Sequence, residues 1–360
     1  MSQNRAIALR LHATIISKVM FRKIERRFAG AAAVLLMAIF TGCNKGNDYI
    51  ALTGVAQGST YHIVYEPVDS SSASVRDSVN LYFKQIDNSV SGYDSTSLLY
   101  KFNNNLPVKP DKIFIDNFVA SQKMYKVSNG AFDASSAPLF DLWGFGFKNK
   151  ANVTKAKIDS IMQFTGMEHF KLVGDSITKD DPRCELNFNA IAQGYTADYF
   201  AERFRKMGIK NFMIEIGGEI FAQGVNPKGK EWNIGVDKPV DGNNSPGEMI
   251  QDEIRISGKG LVTSGDYRKY YVENGKKYAH TINPKTGYPV QHNLLSATVV
   301  APNATAADAY ATYFMVVGLE RAKEIIAETP DIEALLIYGD QNNMKQYVSE
   351  GMKKMTKETK

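Results

Sequence analysis

The sequence predicts an α+β fold in which helices pack on antiparallel sheets. Helix-period and strand-period segments are interleaved over 360 residues without a regular βαβ rhythm. Three strand runs, FMIEIGGEIFAQG, EWNIGVDKP and EIRISGKGLVTSG, follow one another with no helix between them, as successive antiparallel strands do. No internal repeat and no long Pro- or Ser-rich linker divides the chain, so residues 50–350 are expected to form one domain.

The first segment, ALTGVAQGSTYHIVYEP, reads as two strands joined through glycine, with β-branched and aromatic residues between turn formers. The serines from Ser70 to Ser74 can open a helix in which Val75, Val79, Tyr82, Phe83, Ile86 and Val90 recur at helical spacing. DNFVASQKMYKVSNG predicts a second helix stopped by Gly130, and KAKIDSIMQFTGM a third. GYTADYFAERFRKMG predicts a fourth, with Gly208 where a helix C-cap belongs. AADAYATYFMVVG and ERAKEIIAETP are the last predicted helices, and EALLIYGD the closing strand. The loop DGNNSPGE and a tail at 351–360 are expected to be flexible.

The formal charge of +5 belongs to the N-terminus. Up to Gly42 the chain carries seven basic residues and one acid, Glu25, leaving about −1 for the remainder. Nothing beyond that point calls for nucleic acid. Arg22, Lys23, Arg26 and Arg27 precede an apolar run, Ala29 to Phe40, too short to span a membrane comfortably. The run ends in Phe40-Thr41-Gly42-Cys43, which resembles a lipobox. Residues 1–42 thus read as a lipoprotein signal peptide, with Met20 an alternative start, Cys43 as the lipidation site and 43–49 as a tether. The expected location is the cell envelope membrane, lipid-anchored and facing the periplasm. With Cys43 lipidated, the only other cysteine is Cys184, so neither a disulfide framework nor a zinc cluster is expected. Cys184 reads as a small buried hydrophobe.

The chain has no Walker or dinucleotide glycine loop, no metalloprotease helix and no G-x-S-x-G elbow. Four other stretches can carry chemistry. Asp308 and Thr312 are four apart, so a helix places both oxygens on one face, a pair suited to Mg²⁺; by itself an Asp near a helix start is more often a cap. Tyr278 to Pro289 holds two prolines and a glycine, a rigid loop that can face a flat ring and present His280 for proton transfer. Gly130 to Leu139, followed by Leu142-Trp143-Gly144-Phe145-Gly146, combines small residues, the acceptor Asp133 and an aromatic turn in which Trp143 reads as core. Asn187 to Asp198 is a strand end entering a helix, where exposed backbone favours an anion and a carbonyl can reach a metal.

In this order the stretches resemble the successive motifs of the ApbE family, the FAD:protein FMN transferases. The family's G-T-x-[YW] is met by Gly58-Ser59-Thr60-Tyr61, its tyrosine-led segment by Tyr93 to Leu98, and its F-D-x-x-x-x-P-L by Phe132 to Leu139. Asn187 to Tyr195, Thr263 to Tyr270, Ala279 to Pro289 and Ala307 to Thr312 match four further motifs. The resemblance runs from about Gly58 to near Gly339. It implies an ApbE-like (T-fold-like) architecture and Mg²⁺-dependent transfer of FMN from FAD to a Ser or Thr hydroxyl, releasing AMP. Asp308, Thr312 and the Ala190 carbonyl would hold the Mg²⁺. Gln57, Tyr93, Ala131, Phe132, Asp133, Asn187, Gln193 and Ile282 would contact FAD, and His280 would assist the acceptor hydroxyl. The implied partner is an extracytoplasmic acceptor protein, a subunit of a redox complex of the Rnf or Na⁺-translocating quinone reductase type.

Three positions depart from the family pattern. Asn187 and Asn283 stand where it has Asp, and Gln193 where it has Lys. Each removes one formal charge, while the metal set is kept. Two other functions remain open from sequence: a Mg²⁺-dependent FAD pyrophosphatase, in which water replaces the hydroxyl, and a flavin-binding lipoprotein without catalysis.

Overall fold

In the computed structural model the chain is described at residues 49–356, apart from 69–71, 149–151, 240–248, 266–269, 274–275 and 341–342. Cys43 and the segment before it lie outside the described residues, as do the loop from 241 to 248 and residues 357–360. The order begins β1 (Ile50–Ala56), β2 (Ser59–Tyr65), α1 (Ser72–Val90), α2 (Leu98–Asn103), α3 (Lys112–Val127), α4 (Ala137–Trp143) and α5 (Lys155–Met162). It continues with β3 (Phe170–Val173), β4 (Ser176–Lys179), α6 (Ala192–Lys206), β5 (Phe212–Ile216), β6 (Glu219–Gln223), β7 (Trp232–Asp237), β8 (Ile250–Ile256) and β9 (Lys259–Gly265). The short strands β10 (Tyr270–Glu273), β11 (Lys276–Ala279), β12 (Ile282–Asn283) and β13 (Tyr288–Pro289) lead to β14 (Leu294–Ala301). Then come α7 (Ala304–Val317), α8 (Leu319–Glu328), β15 (Glu333–Asp340), β16 (Asn343–Val348) and α9 (Glu350–Met355).

Eight strands form one sheet in the order β1-β2-β5-β6-β9-β14-β15-β16, and each neighbouring pair is antiparallel. Strand alternation sends successive side chains to opposite faces. Ala297, Val299, Ala334 and Leu336 join the large core beneath the helices. Their neighbours Val300, Leu335 and Ile337 join a second core with Trp232, Ile234, Ile254 and Met352. The sheet is therefore covered on both sides, by helices on one face and by the β7–β8 hairpin with α9 on the other. Among the helices, α6 and α7 pack on the sheet and on each other.

The long helices follow the predicted periodicity. Val75, Val79, Phe83, Ile86 and Val90 are all buried along α1. Helix α6 ends as expected, with Gly208 at φ 82° and Ile209 N donating to Phe204 O at 3.0 Å. Two expectations are corrected within the described residues. The tail from 351, read as flexible from its Lys and Thr content, continues α9 through Met355. Met352 is fully buried in the second core, and Ser349 N donates to Ala334 O at 3.0 Å. One deeply seated methionine holds the helix against the sheet. EALLIYGD is likewise not the last element, since β16 pairs along it.

Candidate functional site

Helix α7 starts on two carboxamide and carboxylate caps, neither of them Asp308. Asn303 Oδ1 accepts from Ala306 N at 2.7 Å. From α6, Asp198 accepts from Ala304 N and Thr305 N, both at 2.8 Å, and from Thr305 Oγ1 at 2.5 Å. Burial pushes the Asp198 carboxyl up despite these bonds. Asp308 is thus released from the capping role that its place near a helix start suggests.

Asp308 instead lies at the crossing of α7 and α6. It is 4% exposed, and its Oδ2 accepts from Gly194 N at 3.1 Å. That N–H would serve the Ala190 carbonyl in a regular helix; here the helix starts at Ala192 and the donor turns to Asp308. The approach requires glycine at 194, because a Cβ there would stand 2.5 Å from Ala304 O and 2.8 Å from Asp308 Cβ. Burial, then the carboxylate of Glu219 on β6, holds the Asp308 carboxyl well above the usual range. Gln193 lies over Gly217 in the β5–β6 turn. Thr312 follows Asp308 by one helical turn and is half-buried. A buried carboxylate, a hydroxyl one turn on and a carbonyl without its helical donor form an oxygen set that suits a hard divalent cation. Asp308, Thr312 and the Ala190 carbonyl, the ligands named from sequence, are of the donor type such an ion takes.

Gln57 sits in the β1–β2 turn at φ 53°, and its Nε2 donates to Thr196 Oγ1 at 2.9 Å. The hairpin is thereby tied to the first turns of α6, beside Gln193.

A second group gathers around α4. Asn187 N donates to Ala134 O at 2.7 Å, which joins the start of the α6 motif to the Ala131-Phe132-Asp133 stretch. Ala131 and Phe132 are buried, and Phe132 N donates to Ser128 Oγ at 2.8 Å. Asp133 Oδ1 accepts from Ser135 N at 2.8 Å and Ser135 Oγ at 2.6 Å. Trp143 at the end of α4 donates from Nε1 to Gly287 O at 2.8 Å, pinning the proline-rich loop. Ile282 packs with Leu139, Leu142 and Trp143. The His280 ring is edge-on to Phe145, centroids 6.4 Å apart, and Tyr93 is edge-on to Phe147 at 5.0 Å. Tyr93 is 69% exposed. Strand β12 touches α7, which sets the loop beside the Asp308 helix.

The segment expected to be an aromatic loop is therefore partly helical, and Trp143 is both core and pin. Trp143→Phe should cost about 1–3 kcal/mol, because the buried Gly287 carbonyl loses its donor. Chemical denaturation checks this, and an unchanged midpoint would show that the pin is idle.

Burial pushes Asp133 up to about 6, against the pull of its Ser135 hydrogen bonds. Its folded pKa lies above the ordinary 3.8, so the neutral carboxyl favours the fold at low pH. That contribution is lost as pH rises toward about 6. Asp133→Asn keeps an oxygen acceptor for Ser135 and cannot ionise. Its thermal midpoint relative to wild type should rise between pH 4 and pH 7, and a pH-independent difference would refute this.

Sequence reading missed Glu219 and Asp198, the carboxylates that surround Asp308 electrostatically. The two acids flanking Gly217-Gly218 in EIGGEI were a usable signal for Glu219. A separate cleft of about 480 Å³ opens between α3, α6 and the start of α7, lined by Lys123, Tyr195, Tyr199 and Tyr310 among others. None of the predicted site residues lines it.

Fold and site define an α+β protein in which a buried carboxylate helix crosses a glycine-opened helix start, with a hairpin turn tied to that start and a rigid proline loop touching the carboxylate helix. The chain belongs to the ApbE family, whose model matches residues 57–336. It is 32% identical over 351 residues to an FAD:protein FMN transferase of Haemophilus influenzae, covering 94% of this chain and all of that one. A Vibrio cholerae protein of the same description is 32% identical over 329 residues, covering 89% and 96%. Among solved structures, the flavin transferase ApbE from Vibrio cholerae superposes with a TM-score of 0.76 at 30% identity, covering 86% of this chain and 99% of that one. The apo flavinyl transferase ApbE of Pseudomonas stutzeri gives 0.75 at 28% identity, covering 87% and 99%. The expected antiparallel α+β class and family thus hold.

Proposed function

We propose that this chain is an FAD:protein FMN transferase that uses Mg²⁺ to move FMN onto a Ser or Thr hydroxyl of an acceptor protein. The observation that carries the reading is the buried Asp308 carboxylate held to Gly194 N at 3.1 Å. Bound Mg²⁺ would supply neutralisation of the FAD pyrophosphate charge. Asp308, Thr312 and the Ala190 carbonyl would hold it. The acceptor hydroxyl attacks the phosphorus of the FMN half, the pyrophosphate bond breaks, and AMP leaves with its oxygen. His280, at the mouth of the proline loop, takes the hydroxyl proton. The Ala131-Phe132-Asp133 stretch, Asn187 and Ile282 wall the flavin, with Gln57, Gln193 and Tyr93 at its edges. Asn187, Gln193 and Asn283 alter charge at these contacts while leaving the oxygen set intact.

The test incubates purified protein with FAD, Mg²⁺ and a candidate acceptor domain, then reads in-gel flavin fluorescence and AMP. Covalent flavin on the acceptor with matching AMP is expected. FMN and AMP released without labelled acceptor would make the chain a pyrophosphatase, and neither product would leave a flavin carrier.

The same reading extends to the setting. The acceptor is an extracytoplasmic subunit of an Rnf or Na⁺-translocating quinone reductase type complex, and the enzyme is held to the envelope membrane through lipid on Cys43. Support is the signal-peptide layout up to Gly42. No helix among the described residues is long and apolar enough to cross a membrane.

A further inference from the structure

Cys184 is free and buried, and the transfer reaction makes no use of it. The structure nevertheless sets it beside two further metal-ligating side chains. His169 closes the 3₁₀ turn Met167–His169, and the β3–β4 hairpin returns the chain so that Asp180 N donates to His169 O at 3.1 Å. His169 Nδ1 and Asp180 Oδ1 are 2.8 Å apart. The turn after Asp180 brings in Cys184, whose N donates to Asp181 O at 3.1 Å. One ligand atom from each of His169, Asp180 and Cys184 lies within 4.8 Å of the others.

We propose that His169, Asp180 and Cys184 form a second cation site, separate from the Asp308 set, for a borderline-soft divalent ion of the Zn²⁺ class. Sulfur, imidazole nitrogen and carboxylate oxygen are the donors such an ion takes, whereas Mg²⁺ takes oxygen. Tetrahedral Zn²⁺ with bonds of about 2.0–2.3 Å separates neighbouring ligand atoms by roughly 3.3–3.6 Å. The His–Asp pair must open by about half an ångström and the sulfur close by at most about one, within the range of side-chain rotation. Thiolate and carboxylate together balance the ion's two charges. Binding forms a metal–sulfur bond and releases the thiol proton to solvent, with no change of oxidation state. Exposure grades outward: Cys184 is fully buried, and the side chains of His169 and Asp180 are 23% and 60% exposed. The fourth position therefore faces solvent and takes water. This site departs from the expectation of no zinc cluster drawn from the cysteine count, because a mixed His, Asp and Cys set leaves no mark in a count of cysteines.

The ion would tie the β3–β4 hairpin to the segment that reaches Asn187 three residues later. Lys179 Nζ already donates to Cys184 O there, at 2.7 Å.

The test titrates metal-stripped full-length protein with Co²⁺ in a Cys43→Ala background, which leaves Cys184 the only thiol. A near-ultraviolet thiolate-to-cobalt absorption is expected, reversed by Zn²⁺, together with a rise in thermal midpoint on adding Zn²⁺. Cys184→Ala should abolish the absorption. Asp180→Asn, at an exposed position and folded, should weaken Co²⁺ binding at least ~10-fold. Asp308→Ala should leave the absorption unchanged, which keeps this result independent of the transferase reading. No thiolate absorption in the parent protein, or an absorption that survives Cys184→Ala, overturns the proposal.

Discussion

Asp308→Ala is expected to lower FMN transfer at least ~100-fold while FAD still binds, though more weakly. The magnitude is that of removing a main electrostatic stabiliser. Asp308 is buried at the α6–α7 crossing with one oxygen on Gly194 N, and Glu219 adds negative charge nearby. A carboxylate kept in so unfavourable a place is costly without a cation. Charge on the departing AMP grows along the reaction, so the loss should fall on transfer rate more than on ground-state binding. Thr312→Val should be milder, because water can replace a neutral hydroxyl. His280→Ala should slow transfer and leave Mg²⁺ affinity alone. Single-turnover transfer and FAD titration measure both quantities; near-normal transfer in Asp308→Ala would sink the metal assignment.

Gly194→Ala should damage both stability and transfer. The added methyl would meet Ala304 O at 2.5 Å and Asp308 Cβ at 2.8 Å. The first contact is backbone, so α6 and α7 must move apart. Overpacking of this kind costs about 1–3 kcal/mol, and here it also separates Asp308 from its donor. Transfer should fall at least ~10-fold and the denaturation midpoint should drop. A variant with wild-type values for both would mean that the crossing is loose.

Long elements could be read from periodicity because many residues vote on one face. The buried series along α1 and the Gly208 stop of α6 were both visible in this way. Helix α9 was not, since six residues carry one buried anchor, Met352, amid lysines that suggest a solvated tail. Helix α4 was hidden because its residues are apolar nearly all round, so no face stands out. The β3–β4 pair offers four residues per strand, too few for an alternation to be distinctive.

The candidate site divides along the same physical line. Residue types and local spacing determined the oxygen pair Asp308 and Thr312, the rigid loop after His280 and the small residues at the start of α6. These follow from helix geometry and backbone preference over a few residues. Only the tertiary structure decided what Asp308 does. Its neighbours Gly194, Asp198 and Glu219 are at least 89 positions away along the chain, and each could have served another role. Asp198 took the cap of α7, Gly194 admitted close helix contact, and burial beside Glu219 raised the Asp308 carboxyl, which disfavours its charge where no cation offsets it. His169, Asp180 and Cys184 meet instead through the local β3–β4 hairpin and the turn after it. Local interactions are encoded by spacing, but desolvation and through-space charge depend on which distant elements the core brings together.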